Sequence, residues 1–567
     1  MTPDRRTVLQ ALGAVALLGL GAGCARIPVD SGIDSRTLSG RSHPGAPYVR
    51  ALPPDPGAAA PEVLAGFVQA GVGSEDDFAV AREYLTEEAS THWDPNARIT
   101  IYSGSQELQV REESEGHLVL ALQVVAVVDA RGIRSALAGP TPQELAVTVE
   151  EADGQWRLSE VPDGIFLSEA AFESLYSPAR LYFLDARERH LVPDHRWVPL
   201  RRAAVAVLEA LAAGPSAFLE GAVGSRIPAD AAIGEDSIES GADGTAQVEV
   251  PSEIMGLAAE EREPALSQLE ASLRSLRSLS GVRLVQDGQD IDLPEEGRVE
   301  RALPGHRPIA AGETGVISLA DASGADAPAQ LVPELADTRI SSPAIAPGGG
   351  IAAARADDGA AVLIASTDGS IPLREAATGT GFVPPRVDGA GWVWTSVGSS
   401  AGAMLALSGQ GAEHDAKVDA PWLSGREVRA LDVAPDDTRL LVLSGEKGKA
   451  RLELCAVVRE ADGTPTSLTE PTPVRTFLED VTQIGWYDET SVVMLGTAPS
   501  GDELRAQVLD LSGAVEQLPA PAPGTVRLAG SVVAETVWAA DEEGALQRTD
   551  GEGWLAVEVL GRDPVFY

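Results

Sequence analysis

The feature that most restricts the fold lies in the second half of the chain, where a short turn followed by two apolar runs recurs. Pro347-Gly348-Gly349 precedes Ile351 to Arg355 and Ala361 to Ser366, and Val387-Asp388-Gly389 precedes Trp392 to Trp394 and Met404 to Leu407. Pro435-Asp436-Asp437 precedes Leu440 to Leu443 and Leu452 to Val457; Tyr487-Asp488-Glu489 precedes Val492 to Leu495 and Ala506 to Leu509. A weaker copy follows Ser531. The copies recur every 40 to 52 residues or so, and a turn with paired strands at that period is what propeller blades give. From about Ala311 to Tyr567 helical periodicity is absent and Gly, Ala and Asp are abundant. An all-β propeller of about five or six blades fits residues 311–567, its ring closed by pairing early with late strands. A pair of β-sandwiches is the alternative.

Two α+β units precede it. In residues 61–168, Pro61 opens a helix with Val63, Leu64, Phe67 and Val68 at helical spacing, and Phe78, Ala81, Tyr84 and Leu85 form a second apolar face. The period then changes to strands at Ile99 to Tyr102, Leu108 to Arg111, Leu118 to Val128, Leu145 to Glu150 and Trp156 to Ser159, with Asp153-Gly154 as a hairpin turn. Helices followed by a meander resemble the cone-shaped NTF2-like folds. In residues 177–293, Leu181 to Leu184 reads as a buried strand and Arg201 to Ala213 as an amphipathic helix ended by Gly214-Pro215. Val248 to Val250 reads as a strand, a helix follows to about Leu279, and Val282 to Val285 turns at Asp287-Gly288 into Ile291 to Leu293.

The chain starts with Arg5 and Arg6, an apolar stretch from Val8 to Ala22, and Cys24 after small residues. This is the layout of a secretory signal. At about 1.5 Å per residue the stretch covers only about 22 Å, short of the ~30 Å hydrocarbon core. Residues 1–23 are therefore expected to be a signal peptide, with Cys24 carrying S-diacylglycerol and an N-acyl chain at the start of the mature protein. Plain cleavage leaving a free Cys24 is the alternative, since Leu20 stands four residues before the cysteine rather than three. Arg5-Arg6 suits either the general or the twin-arginine export route. Residues 24–60, rich in Pro and Gly, read as a tether that lifts the folded part off the membrane. The only other cysteine is Cys455. With Cys24 lipidated no intrachain disulfide forms, and 567 residues must hold together by core burial. A net charge of −42 disfavours nucleic acid and anionic lipid surfaces as partners.

A catalytic constellation is hard to assemble from these residues. There is no Walker A loop. His190 and His195, five apart, do not share a helical face and read as surface histidines of a turn rather than zinc ligands. His43 and His414 sit in polar stretches. Asp287, Asp290, Asp292, Glu295 and Glu296 make an acidic run without EF-hand register. Glu87 and Glu88 are adjacent at a helix end and face different ways. Cys455 lies inside the apolar run Leu452 to Val457 and reads as a buried thiol. Trp392, Trp394, Trp486 and Trp538 recur near blade strands as core packing. No catalytic residue, metal ligand or cofactor is expected, while a carboxylate pair brought together by distant propeller loops stays open.

Beyond these readings, the chain resembles the LpqB lipoproteins of actinobacteria over nearly its whole length. The resemblance rests on Cys24-Ala25-Arg26-Ile27-Pro28 with Asp30-Ser31-Gly32, and on Phe78-Ala79-Val80-Ala81-Arg82-Glu83-Tyr84-Leu85-Thr86 with Trp93-Asp94-Pro95. The middle unit is similar to GerMN modules at Leu181 to Asp185, Leu191-Val192-Pro193, Leu211 to Pro215 and Ser225-Arg226-Ile227-Pro228. The carboxyl half matches in architecture more than in words. The resemblance implies a membrane-anchored extracytoplasmic accessory protein, not an enzyme. It would contact the extracytoplasmic part of the sensor kinase MtrB in the MtrA–MtrB two-component system and influence cell-wall and division signalling. A sensor or enzyme for wall fragments, with its site in the propeller channel or on the concave face of the first domain, is the alternative.

Overall fold

The computed structural model describes residues 50–567 apart from 105–107, 232–233, 235–236, 242, 321–327, 398–402, 447–448, 500 and 552. The signal, Cys24, His43 and the tether as far as residue 49 lie outside the described residues.

Packing of the first domain starts before the helix that opens it. Ala51 is buried, and Tyr84 donates its hydroxyl to the Leu52 carbonyl at 3.0 Å. The helix runs Ala60–Ala70, and Glu62 reaches back to accept the Ala59 N–H at 2.9 Å, satisfying one of its orphan donors. Its Val63, Leu64, Phe67 and Val68 share one core with Leu118, Leu120 and Leu158 of the sheet. Trp93 stands edge-on to Phe67, 5.2 Å between ring centres. The strands lie in the order Gln155–Glu160, Arg134–Ala152, His117–Asp129, Arg98–Tyr102, Ile165–Ser168, and Gln109–Ser114 also pairs His117–Asp129. The sequence reading misses Ile165–Ser168, which runs parallel to Arg98–Tyr102.

The middle domain corrects the sequence reading at the histidines. His190 and His195 belong to a strand, His190–Pro199, that pairs antiparallel with Tyr176–Asp185 from Leu191 opposite Leu184 to Pro199 opposite Tyr176. Both are therefore strand residues rather than turn residues, and the His195 side chain is largely covered, 16% exposed. On the other side of Tyr176–Asp185, the helix Ala259–Arg274 and the turn after it cap the strand with side chains. Ser272 Oγ accepts the Tyr182 N–H, Ser275 Oγ accepts the Arg180 N–H, each at 2.9 Å, and Gln268 donates to the Tyr182 carbonyl at 3.0 Å. The strand edge is thereby closed by side chains over Arg180 to Tyr182, and by the short strand Val223–Gly224 opposite Leu184 and Asp185. A second sheet holds Ile238–Ser240, Thr245–Glu249, Gly281–Gln286 and Gln289–Asp290. Asp287-Gly288 makes the expected turn, but the returning strand is Gln289–Asp290 rather than Ile291 to Leu293, and Asp290 pairs with Arg283 at 2.6 Å. The chain then passes back as Glu300–Arg301, parallel to His190-Leu191.

From Pro308 onward, six small sheets follow one another among the described residues. The first combines Pro308–Ala311 and Val316–Ser318 with the last strand of the chain, Arg562–Phe566, in register Pro308 with Phe566 and Ile309 with Val565. The other five are up-and-down meanders starting at Ile340–Ile345, Arg386–Val387, Val428–Val433, Glu479–Trp486 and Thr525–Ser531. Each starting strand touches the next, and Arg562–Phe566 touches both Thr525–Ser531 and Ile340–Ile345, so the series closes on itself as a propeller does.

The recurring turns are held by their own carboxylates. Asp388 Oδ1 accepts the N–H groups of Ala390 and Trp392 at 3.0 and 2.8 Å; Asp436 Oδ1 accepts those of Thr438 and Arg439, both at 3.0 Å. Asp488 Oδ1 accepts those of Thr490 and Ser491 at 2.5 and 2.6 Å. These are Asx turns, local in sequence and repeated because each sheet needs the same reversal. Trp394, Trp486 and Trp538 are buried, as is Cys455, whose Sγ lies 3.6 Å from the Leu440 carbonyl. Burial pushes the Cys455 thiol far above its ordinary range, which fits an inert packing group. Among the described residues no helix is long and apolar enough to cross a membrane.

Candidate functional site

In two neighbouring sheets the residue after the turn carboxylate, Asp437 and Glu489, meets the middle domain. Glu489 is 7% exposed. Its Oε1 accepts from Arg180 Nη1 and the Tyr182 hydroxyl, both at 2.8 Å, and from Arg301 Nη1 at 3.0 Å. The Glu489 carbonyl accepts from Arg439 Nη2 at 2.5 Å, and Arg439 is itself paired with Asp436 at 2.6 Å. Burial first, then the Glu489 charge, pushes the Tyr182 phenol up to about 12, so it stays a hydrogen-bond donor. Burial also opposes the Arg180 charge, but Tyr182 and Glu489 outweigh it and hold its pKa above the ordinary value. One sheet earlier, Asp437 occupies the equivalent position at φ 61°, accepts the Gly389 N–H at 2.6 Å, and lies 4.0 Å from Arg189 of the middle domain.

The junction therefore sets arginines of a strand and its flanks, Arg180, Arg189 and Arg301, against acidic turns of the propeller. An apolar contact lies beside it, where Val192, Leu219 and Ala222 pack with Ala456, and Thr469 donates to the Phe218 carbonyl at 2.7 Å. The first domain is tied to the middle one through the Trp197 N–H, which donates to the Gly132 carbonyl at 2.7 Å, and through Trp197 packed on Phe172, 4.8 Å between ring centres.

His195 sits at the same junction, its Nε2 3.9 Å from Asp510 Oδ1. Burial, with Arg180 and Arg439 adding to it and Asp510 and Asp488 opposing it, lowers its pKa to about 4. At neutral pH the imidazole is uncharged, so this approach is a polar contact and not an ion pair. Between pH ~6.5, the ordinary histidine value, and about 4, the unfolded chain binds a proton that the folded chain refuses. The His195 contribution is complete above that window and is lost as the pH falls through it. In His195→Gln, the drop in thermal midpoint from about pH 7.5 to about pH 5 is expected to be smaller than in the wild type. An unchanged pH profile would show that His195 does not carry this sensitivity.

Two hollows meet near this junction. The mouth of the propeller channel holds about 90 Å³ and is closed by Leu303, Pro304, Gly305 and the terminal Tyr567. Gly305 is required there, because a Cβ would fall 2.3 Å from the Tyr567 carbonyl carbon. That volume accommodates a few waters, well below the ~300 Å³ at which ligand pockets start. On the other side of Leu303 a groove of about 630 Å³ runs along the middle domain past Arg180, Arg274, Arg298 and Arg301. The first domain carries a smaller hollow of about 230 Å³ beside Tyr102, Gln123 and the Arg111–Glu144 pair. Among the described residues the groove is larger than the hollow at either location anticipated from sequence. The groove arginines were not singled out by sequence, although Arg180 immediately before an apolar strand in so acidic a chain was a readable signal.

Comparisons with known proteins follow the same divisions. Residues 53–173 match the model described as lipoprotein LpqB, N-terminal domain, residues 180–292 match that of sporulation and spore germination, and residues 322–566 match the lipoprotein LpqB beta-propeller domain. Lipoprotein LpqB of Cutibacterium acnes is 28% identical, covering 88% of this chain and 87% of its own. That of Streptomyces avermitilis is 26% identical and covers 98% of each. Among solved structures, TolB from Acinetobacter baumannii is similar at a TM-score of 0.35 and 12% identity, covering 71% of this chain and 90% of its own. With all three domains matched in order and relatives aligned from end to end, the chain belongs to the LpqB family of lipoproteins.

Proposed function

We propose that this protein is a non-catalytic accessory protein, held on the extracytoplasmic face of the membrane by diacylglycerol on Cys24 and contacting the ectodomain of an MtrB-type sensor kinase. In this reading the first domain is an NTF2-like cone and the six sheets are six blades. The observation that carries it is the locked junction, where Glu489 ties the propeller to two arginines and a tyrosine of the middle domain. A platform that presents a partner surface at fixed geometry needs such a weld, whereas domains joined only by linkers move independently by default.

The test is affinity capture of the full chain from gently solubilised membranes, identified by mass spectrometry, beside a Cys24→Ala variant. The expected result is recovery of the kinase with the wild type, and release of Cys24→Ala from the membrane fraction. Capture of wall enzymes without the kinase would reject the partner; retention of Cys24→Ala on membranes would reject the anchor.

A further inference from the structure

We propose that the groove of the middle domain beside Leu303 is a binding site for an anionic ligand carrying phosphate or carboxylate groups. Neither the accessory role nor the kinase contact requires it, so its success or failure is independent of them.

The groove concentrates four guanidinium groups in a chain of net charge −42. Two acids hold them in place. Glu270, 15% exposed, takes Arg274 Nη2 on one oxygen at 2.9 Å and Arg298 Nη2 on the other at 3.2 Å. Glu489 takes Arg180 and Arg301 on a single oxygen, and its Oε2 has no partner among the described residues. The lining itself holds two acids, Glu270 and Glu300; with Glu489, which pairs two of the arginines without lining the groove, four positive charges stand against three negative.

A guanidinium has five N–H donors in a rigid fork, and each bond to an acid uses only one or two of them. Arg274 and Arg301 remain 58% and 51% exposed, so their outer donors are open to the groove while the inner ones are fixed. That removes much of the entropy cost of ordering long side chains around a ligand. Fixed forks match the paired oxygens of phosphate and carboxylate, which accept two parallel N–H bonds. The volume lies within the ~300–1,000 Å³ of ligand sites, and Val299 and Leu303 supply an apolar wall for the body of the ligand. Long-range repulsion by the acidic surface works against loose anion binding, so selectivity depends on these forks rather than on bulk charge.

Titration calorimetry on the full chain with inorganic tripolyphosphate and, separately, with citrate tests this. At least one probe is expected to saturate with a Kd below about 1 mM, and Arg274→Ala with Arg298→Ala to weaken it at least about tenfold. Arg274→Lys with Arg298→Lys keeps the charge but loses the fork, and is expected to weaken binding while keeping the ligand-free thermal midpoint of the wild type, so a folding defect cannot explain the loss. Binding of tripolyphosphate alone assigns a phosphate ligand, and of citrate alone a carboxylate one. No heat from either probe up to about 10 mM, or equal affinity in wild type and both variants, overturns the proposal.

Discussion

Asp388→Ala is expected to lower the unfolding free energy by about 3–5 kcal/mol, the range for stripping one partner from a buried ion pair. The Asp388 side chain is buried, and besides the two backbone donors of its turn it accepts Trp394 Nε1 at 2.9 Å and Arg459 Nη2 at 2.6 Å. Alanine leaves the indole N–H without its acceptor and strips the Arg459 charge of its counter-ion, leaving it only the Asp437 and Gly463 carbonyls at 2.9 and 3.1 Å, and unpaired buried donors cost more than a hydrogen bond normally adds. Asp388→Asn keeps an acceptor in place and is expected to lose less.

The same variant has a pH signature. Burial, and next the Asp388 charge, raise the neighbouring Asp437 pKa to about 7. Because the folded pKa exceeds the ordinary ~3.9, the folded chain binds a proton more tightly, and stability is lost as the pH rises toward 7. Removing Asp388 relieves part of that loss. The deficit of Asp388→Ala in chemical denaturation is therefore expected to be smaller at about pH 8 than at about pH 5. A deficit below about 1 kcal/mol at both values would show that solvent reaches Arg459 and that the pair is not a buried one.

Local features of this fold were readable and distant ones were not, for a physical reason. The turns at Asp388, Asp436 and Asp488 are stabilised by side chains bonding to backbone two to four residues on, so their signature lies in a few consecutive letters. The helix Ala203–Ala213 ends at Gly214-Pro215 for equally local reasons. The closing strand Arg562–Phe566 carries no such mark: it gains meaning only from Pro308–Ala311, at the far end of the propeller sequence. His190–Pro199 hides as a strand because Pro193, Pro199 and several charges interrupt it. Beyond Leu191 it pairs only with Tyr176–Asp185, which leaves an edge where proline is tolerated. Glu489 was visible as a turn residue, but its role depends on Arg180 and Arg301, 309 and 188 residues away, and no period in the sequence links them.

That separation makes Glu489 the residue whose loss should split the molecule rather than merely soften it. Glu489→Ala removes the acceptor shared by Arg180, Arg301 and the buried Tyr182 hydroxyl. The arginines, partly exposed, recover water; the tyrosine does not, and the expected cost is about 2–4 kcal/mol. This cost falls on the junction, since the Asp488 turn that shapes the hairpin and the Asp436–Arg439 pair behind it stay intact. Calorimetry is expected to resolve one wild-type transition into two, with the middle domain and propeller melting separately, and proteolysis to gain a cut in the exposed connection around Leu303. Glu489→Gln keeps an oxygen for Tyr182 but gives up the charge that holds both arginines, so it should fall between the two. A single transition at the wild-type midpoint in Glu489→Ala would mean that the remaining links, the apolar contact of Val192, Leu219 and Ala222 with Ala456, the Thr469 bond to Phe218 and the Arg189–Asp437 approach, are enough to join the domains.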